Sequence, residues 1–149
     1  MPTTNLDLLT ANGVTAPLTG AVTGNVSGNL TGNVTGNVTG AINSPAPTVL
    51  SADGALAIPT IGNASFSITK GSAAALTLVA PAAGTDDGKI LTIVSETAYA
   101  HVVTCATDGF NNKGSSGTAT WATAKGNYLV LMARNGHWWS VGLTGVTLA

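Results

Sequence analysis

Charge is scarce in this sequence: 7% of its 149 residues are Asp, Glu, Lys or Arg, and the formal net charge is −1. The five basic residues, Lys70, Lys89, Lys113, Lys125 and Arg134, are scattered, whereas a nucleic-acid surface needs them clustered. No apolar run approaches the ~20 residues that a membrane-spanning helix requires. The residues from Met1 to Asp7 lack the basic region and apolar run of a secretory signal. These absences set the expectation of a chain that folds in a cytosol, with neither nucleic acid nor membrane as partner. The single Cys105 agrees with that and excludes a disulfide within the chain.

Catalytic residue types are equally thin. The six acids are Asp7, Asp53, Asp86, Asp87, Glu96 and Asp108, and only Asp86-Asp87 are adjacent. Neighbouring side chains on a strand or turn point apart, and Gly88 follows, so the pair reads as an Asx-stabilised turn rather than an acid–base dyad. Calcium there would want more oxygens than two adjacent carboxylates supply. His101 and Cys105 lie four residues apart, which on a straight strand separates them by about 13 Å. A nucleophile pair along that strand is therefore excluded, and only His137 with Cys105 stays geometrically open. No GxSxG, P-loop or HExxH pattern occurs. The expectation is a protein that is not an enzyme and uses no metal or cofactor.

What the sequence does have is repetition. From Leu18 to Asn43 it reads LTGAVTGNVSGNLTGNVTGNVTGAIN, with glycine at 20, 24, 28, 32, 36 and 40. An aliphatic follows two places after each glycine: Val22, Val26, Leu30, Val34, Val38 and Ile42. A period of four is wrong for a helix, where each Gly would also cost about 1 kcal/mol against Ala. Being a multiple of two, it suits an extended chain, with Gly and the aliphatic on one face and Thr and Asn on the other. One such ribbon cannot offset an ordering entropy of roughly 1–2 kcal/mol per residue. Several identical chains around an axis can, because their aliphatics meet at the centre and their glycines allow close approach. Three-fold closure is preferred, since three small aliphatics fill a narrow axial core; a single-chain β-solenoid of very few turns stays open. A flexible linker has no need of an aliphatic at every fourth position. The Asn-x-Ser/Thr sequons at Asn25, Asn29, Asn33 and Asn37 are by-products of the period.

The remaining organisation is expected to be a short N-terminal arm over 1–17, anchored by Leu6, Leu8 and Leu9, the repeat over 18–43, and a domain over 44–149 opened by the stiff Ser44-Pro45-Ala46-Pro47. In that domain apolar alternation predicts strands at 55–59, 64–69, 74–80, 89–95, 100–106, 118–123, 128–134, 137–143 and 146–148. Asn135-Gly136 between two apolar runs is the strongest hairpin signal. Phe66, Ile68, Leu76, Leu78, Ile90, Ile93, Val102, Trp121, Leu129, Leu131 and Trp138 form the expected core. The fold class is then all-β: an extended tetrapeptide-repeat region forming an intertwined trimeric β stalk, followed by a β-sandwich or jelly-roll-like domain. Trp121, Trp138 and Trp139, with Tyr99 and Tyr128, raise the possibility of a sugar-binding groove. Alternation instead sends one of the neighbours Trp138 and Trp139 inward and the other outward, and Trp139 is the exposed candidate.

The TGNVTGNVTG run, Ile68-Thr69-Lys70-Gly71-Ser72-Ala73-Ala74 leading into Leu76-Thr77-Leu78-Val79-Ala80-Pro81, Asp87-Gly88-Lys89-Ile90-Leu91-Thr92-Ile93, Ala100-His101-Val102-Val103-Thr104 and Asn135-Gly136-His137-Trp138-Trp139 together resemble small virion proteins of tailed bacteriophages, of the head decoration (cement) or head-fibre type. The resemblance covers most of residues 18–149 and is one of style rather than of a catalytic signature. It implies a β-rich homotrimer on a capsid surface, assembled in the host cytoplasm, with the major capsid protein as partner and the N-terminal part toward the shell. It carries over no active-site residues. The alternative expectation is a receptor- or carbohydrate-binding tail-fibre or adhesin tip that meets a host surface glycan. A polysaccharide depolymerase comes last, for want of acids and histidines.

Overall fold

In a computed structural model of the protein, the residues described are 45–60, 62–107 and 109–149. The expectations for Leu6, Leu8, Leu9, Val22, Val26, Leu30, Val34, Val38 and Ile42 lie outside the described residues. The described residues are all-β, in ten strands: β1 Thr48–Leu50, β2 Gly54–Leu56, β3 Asn63–Ile68, β4 Ala75–Leu78, β5 Ile90–Ser95, β6 Val102–Cys105, β7 Gly117–Trp121, β8 Tyr128–Arg134, β9 His137–Thr144 and β10 Val146–Leu148. They build two five-stranded mixed sheets, sheet A in the order β1-β3-β5-β8-β9 and sheet B in the order β10-β7-β6-β4-β2.

The chain winds between these sheets as a coil. Strands β1, β3 and β5 go to sheet A and pair in parallel, while β2, β4 and β6 go to sheet B and also pair in parallel. After β6 the direction reverses: β7 and β8 lie antiparallel on β6 and β5, and β9 and β10 close the outer edges antiparallel to β8 and β7. This corrects the jelly-roll expectation, since that architecture is antiparallel throughout. The physical reason lies in the connections: β1 to β6 alternate between the sheets, so each connection passes over an end of the core and successive strands in one sheet run the same way.

Parallel register stacks like residues on like. Leu56, Leu78 and Cys105 form one inward row of sheet B, and Leu76, Val103 and Ala119 form another. Facing them from sheet A are Phe66, Ile93 and Leu129, with Leu91 and Leu131 beside them. All of these are buried, and each large aliphatic contributes roughly 1.5–3 kcal/mol. Two indoles bridge to backbone groups across the fold. Trp138 in β9 donates its Nε1–H to the carbonyl of Val79 at 2.8 Å, and Trp121 in β7 donates to that of Asn127 at 3.3 Å.

Two of the expected core residues are corrected. Ile90 and Val102 are half-buried, and their neighbours Leu91 and Val103 are fully buried in their place. Strand parity is the reason: Ile90 and Ile93 differ by an odd number, so a regular strand cannot turn both inward. The β8–β9 turn, by contrast, has the geometry its sequence demands, with Asn135 at φ 51° and Gly136 at φ 78°, as a type I′ hairpin requires.

Candidate interaction surface

The outward rows of sheet A are built by the same parity. On β8, Leu129, Leu131 and Ala133 turn inward, so Tyr128, Val130 and Met132 turn outward. Register places Ile90 and Trp139 on either side of Met132, Thr92 and Gly142 beside Val130, and Val94 and Thr144 beside Tyr128. A bulge at Val130/Leu131 inserts Val141 as an extra residue of β9. Without it Gly142 would fall on the opposite face from Trp139; with it both reach the outer face. A Cβ at Gly142 would make ordinary van der Waals contact with the Tyr128 ring and the Val130 side chain at 3.8 Å. Trp139 and Tyr128 are each 37% exposed, against 0% for Trp138 and 1% for Trp121. A groove lined by all five aromatics named from the sequence is thereby excluded, because Trp121 and Trp138 belong to the core. Tyr99 is exposed but sits on the loop between β5 and β6, not on this face. The Trp139 indole donates to the carbonyl of Arg134 at 3.3 Å, which holds it along the sheet.

Sheet B presents a different outer face. Its rows are Ala55, Thr77, Thr104 and Thr118, and beside them Ala75, Val102, Thr120 and Thr147. Threonine hydroxyls there can hydrogen-bond water while the methyl groups pack against their neighbours across the strands. Separately, an open groove of about 350 Å³ runs along the β1 edge, lined by uncharged residues that include Pro45, Thr48, Pro59, Thr60, Asn63 and Ser65.

The polar residues singled out in the sequence hold loops. Asp86 is nearly buried; its Oδ2 accepts the Ala82 N–H at 2.7 Å and its Oδ1 accepts the Lys89 ammonium at 2.6 Å. Asp87 accepts the Asn135 N–H at 2.8 Å, tying the β4–β5 loop to the β8–β9 turn. The two carboxylates thus serve different backbones and share no common point. The bond to Lys89, and after it that to Ala82, holds the Asp86 carboxyl below its ordinary pKa. Cys105 is buried at the end of β6 and its thiol donates to the carbonyl of Thr107 at 3.3 Å. Among the described residues no three His, Cys, Asp or Glu side chains converge as metal ligands, and no helix is long and apolar enough to cross a membrane.

His101 is the most constrained polar group. It is fully buried just ahead of β6; Nδ1 accepts the Ala74 N–H at 3.0 Å, and Nε2 lies 3.0 Å from Thr97 Oγ1. That hydroxyl donates its own proton to the Lys70 carbonyl at 3.0 Å, so the imidazole carries its hydrogen on Nε2 and is neutral. Burial pushes its pKa down, the Thr97 contact opposes this, and the charge of Lys70 adds to it. The ring pins the loops before β4 and before β6 together.

The outer face of sheet A escaped the sequence reading apart from Trp139. Parity would have found it, because fixing Leu129 and Leu131 inward leaves Tyr128, Val130 and Met132 no other side. Neither protein-family models nor curated protein sequences match this chain.

Proposed function

We propose that the chain is a structural, non-enzymatic virion protein, a homotrimeric capsid decoration (cement) or head-fibre protein that binds the capsid surface through the major capsid protein. The observation that carries the reading is the tetrapeptide repeat, whose aliphatics Val22, Val26, Leu30, Val34, Val38 and Ile42 recur at a period that leaves each ribbon short of a core of its own. The resemblance to small phage head proteins supplies the virion setting. Scarce charge supports it further: a surface of Thr, Ser, Asn and Ala suits a long-lived, close-packed assembly. On a capsid, many weak contacts per trimer add through effective concentration and raise shell stability.

The test is particle survival. Virions with and without the protein are compared under heat and low salt, and particles lacking it are expected to open first. Equal survival removes the cement role. Labelling the protein on particles gives many copies over the head in this reading. A few copies at the tail would favour the second reading, a glycan-binding fibre tip, which the exposure of Trp139 and Tyr128 supports. In that case binding to a glycan array is lost on Trp139→Ala.

A further inference from the structure

Only five residues of the chain are basic, and residues 1–69 hold none of them. A trypsin-type serine protease, whose specificity pocket ends in a carboxylate, cuts after such residues. It must first draw the peptide to be cut out of the fold, so hydrogen bonds on that peptide protect it. Four of the five are protected in this way. The carbonyl of Lys70 accepts the Thr97 hydroxyl at 3.0 Å, and that of Lys89 accepts the Ala133 N–H at 2.9 Å. After Lys125, the Gly126 N–H donates to the Ser95 carbonyl at 2.8 Å. After Arg134, the Asn135 N–H donates to Asp87 at 2.8 Å, and the Arg134 carbonyl accepts the Trp139 indole at 3.3 Å. Lys113 is the exception. It lies on the loop between β6 and β7, where residues 111–116 are all exposed. Among the described residues, no hydrogen bond ties the Lys113–Gly114 peptide to another part of the fold. The backbone ahead of it is left-handed at two residues other than glycine, Asn111 at φ 59° and Asn112 at φ 55°. Drawing them into the extended form that a protease binds relieves strain rather than adding it.

From this we infer that Lys113–Gly114 is a processing site for a serine protease of this class, and that the cut protein keeps its fold as two chains. In the cut the C–N bond breaks. The oxygen of water joins the Lys113 carbonyl carbon as a carboxylate, and both protons of that water go to the Gly114 nitrogen, which becomes an ammonium. Each arm of the loop is anchored without the tip. On the β6 side Phe110 is fully buried and bridges to Trp138. Beside it the Asn111 N–H donates to the Trp138 carbonyl at 2.8 Å, and the Asn111 side chain accepts the Ser140 N–H at 2.8 Å. On the β7 side Gly109 packs tightly against Ser115 and Gly117; a Cβ on Gly109 would lie 2.7 Å from the Ser115 carbonyl oxygen. The Thr118 N–H then donates to the Ala149 carbonyl at 2.9 Å. The cut falls between the parallel coil of β1 to β6 and the antiparallel strands β7 to β10. Pairing of β6 with β7 and of β5 with β8 holds the two pieces together in both sheets.

Timed digestion of the native full chain with trypsin tests this, with mass spectrometry to name each cut. The first products are expected to be residues 1–113 and 114–149, formed at least ~10-fold faster than any later fragment, because cleavage follows the ease of local opening. The nicked protein is expected to keep the circular dichroism of the intact chain. Its two pieces should leave a gel-filtration column together in buffer and apart in urea. Lys113→Gln should remove the early cut, and Lys113→Arg should keep it. A first cut after Lys70, Lys89, Lys125 or Arg134, a native chain that resists trypsin throughout, or a Lys113→Gln chain nicked as fast as the wild type would overturn the site. Pieces that part in buffer without urea would overturn the two-chain fold.

Discussion

Acidification should loosen this fold through one residue, His101. Its folded form has no place for a second proton. Nδ1 faces the Ala74 N–H at 3.0 Å, and Nε2 already spends its hydrogen on Thr97 Oγ1. Adding a proton to Nδ1 sets two donors against each other inside the core, where an unsatisfied buried donor costs about 1–3 kcal/mol. Because burial depresses the folded pKa below the ordinary value of 6.5, the unfolded chain binds the proton first. The stability His101 contributes is therefore complete above that value and is lost as the pH falls below it. Over the window in which the folded ring stays neutral the loss is about 1.4 kcal/mol per pH unit. Urea titrations at pH 7.5 and 5.5 measure it, with His101→Gln as the partner experiment. Gln places an amide in the same pocket and does not titrate, so its midpoint should be less stable at pH 7.5 and nearly flat between the two conditions. Asp53 and Asp86 do not confuse the window, because both stay ionised in it. A wild-type midpoint as flat as that of His101→Gln would refute the reasoning.

Other outcomes follow from the same geometry. Below the ordinary carboxylate value of 3.8, a further loss of stability is expected as Asp53, held ionised by Lys70 and the Ala75 N–H, and Asp86, held by Lys89 and the Ala82 N–H, take up protons; a melting temperature constant from pH 5 to pH 2.5 would contradict this. Trp138→Phe removes the donor to Val79 and should lower stability by about 1–3 kcal/mol, seen as a urea midpoint shift at constant slope. Asn135→Val places a β-branched residue at φ 51° and should cost roughly 1–3 kcal/mol by thermal melt. Trp139→Ala, on the outer face, should leave the melting temperature within a few degrees of wild type, and a large fall would mean that the indole is part of the core.

Hairpins and faces were legible in the sequence where local chemistry decides them. Tyr128–Arg134 and the start of β9 at His137 follow from Asn135-Gly136, which bends the chain whatever surrounds it. Burial of Phe66, Leu76, Trp121 and Leu129 follows from alternation. Two kinds of fact were not legible. β1 is only three residues long and begins right after Pro47, too short for a period to show. The parallel pairing of β3 with β5 depends on which strand lies beside which, and alternation is the same for either neighbour. The outer face of sheet A sits between these limits: the parity that marks it is in the sequence, but its continuity across β5, β8 and β9 needs the register.

That register also separates growth along the coil from growth across it. A stack of parallel strands ends in unpaired backbone, which invites a further strand. Here β1 and β2 are three residues each, too short to template a long one, and Pro45 and Pro47 precede β1 with residues that have no N–H to offer. Ahead of β2, the carboxylate of Asp53 takes the Ala75 N–H at 2.7 Å and the Lys70 ammonium at 2.6 Å, placing an ion pair beside the open end of the ladder. At the far end β9 is longer, but the bulge at Val141 breaks its hydrogen-bonding run. Both ends of the coil thus resist extension through backbone. Growth end to end along the coil therefore finds little backbone to pair with, and growth across it would have to use side chains.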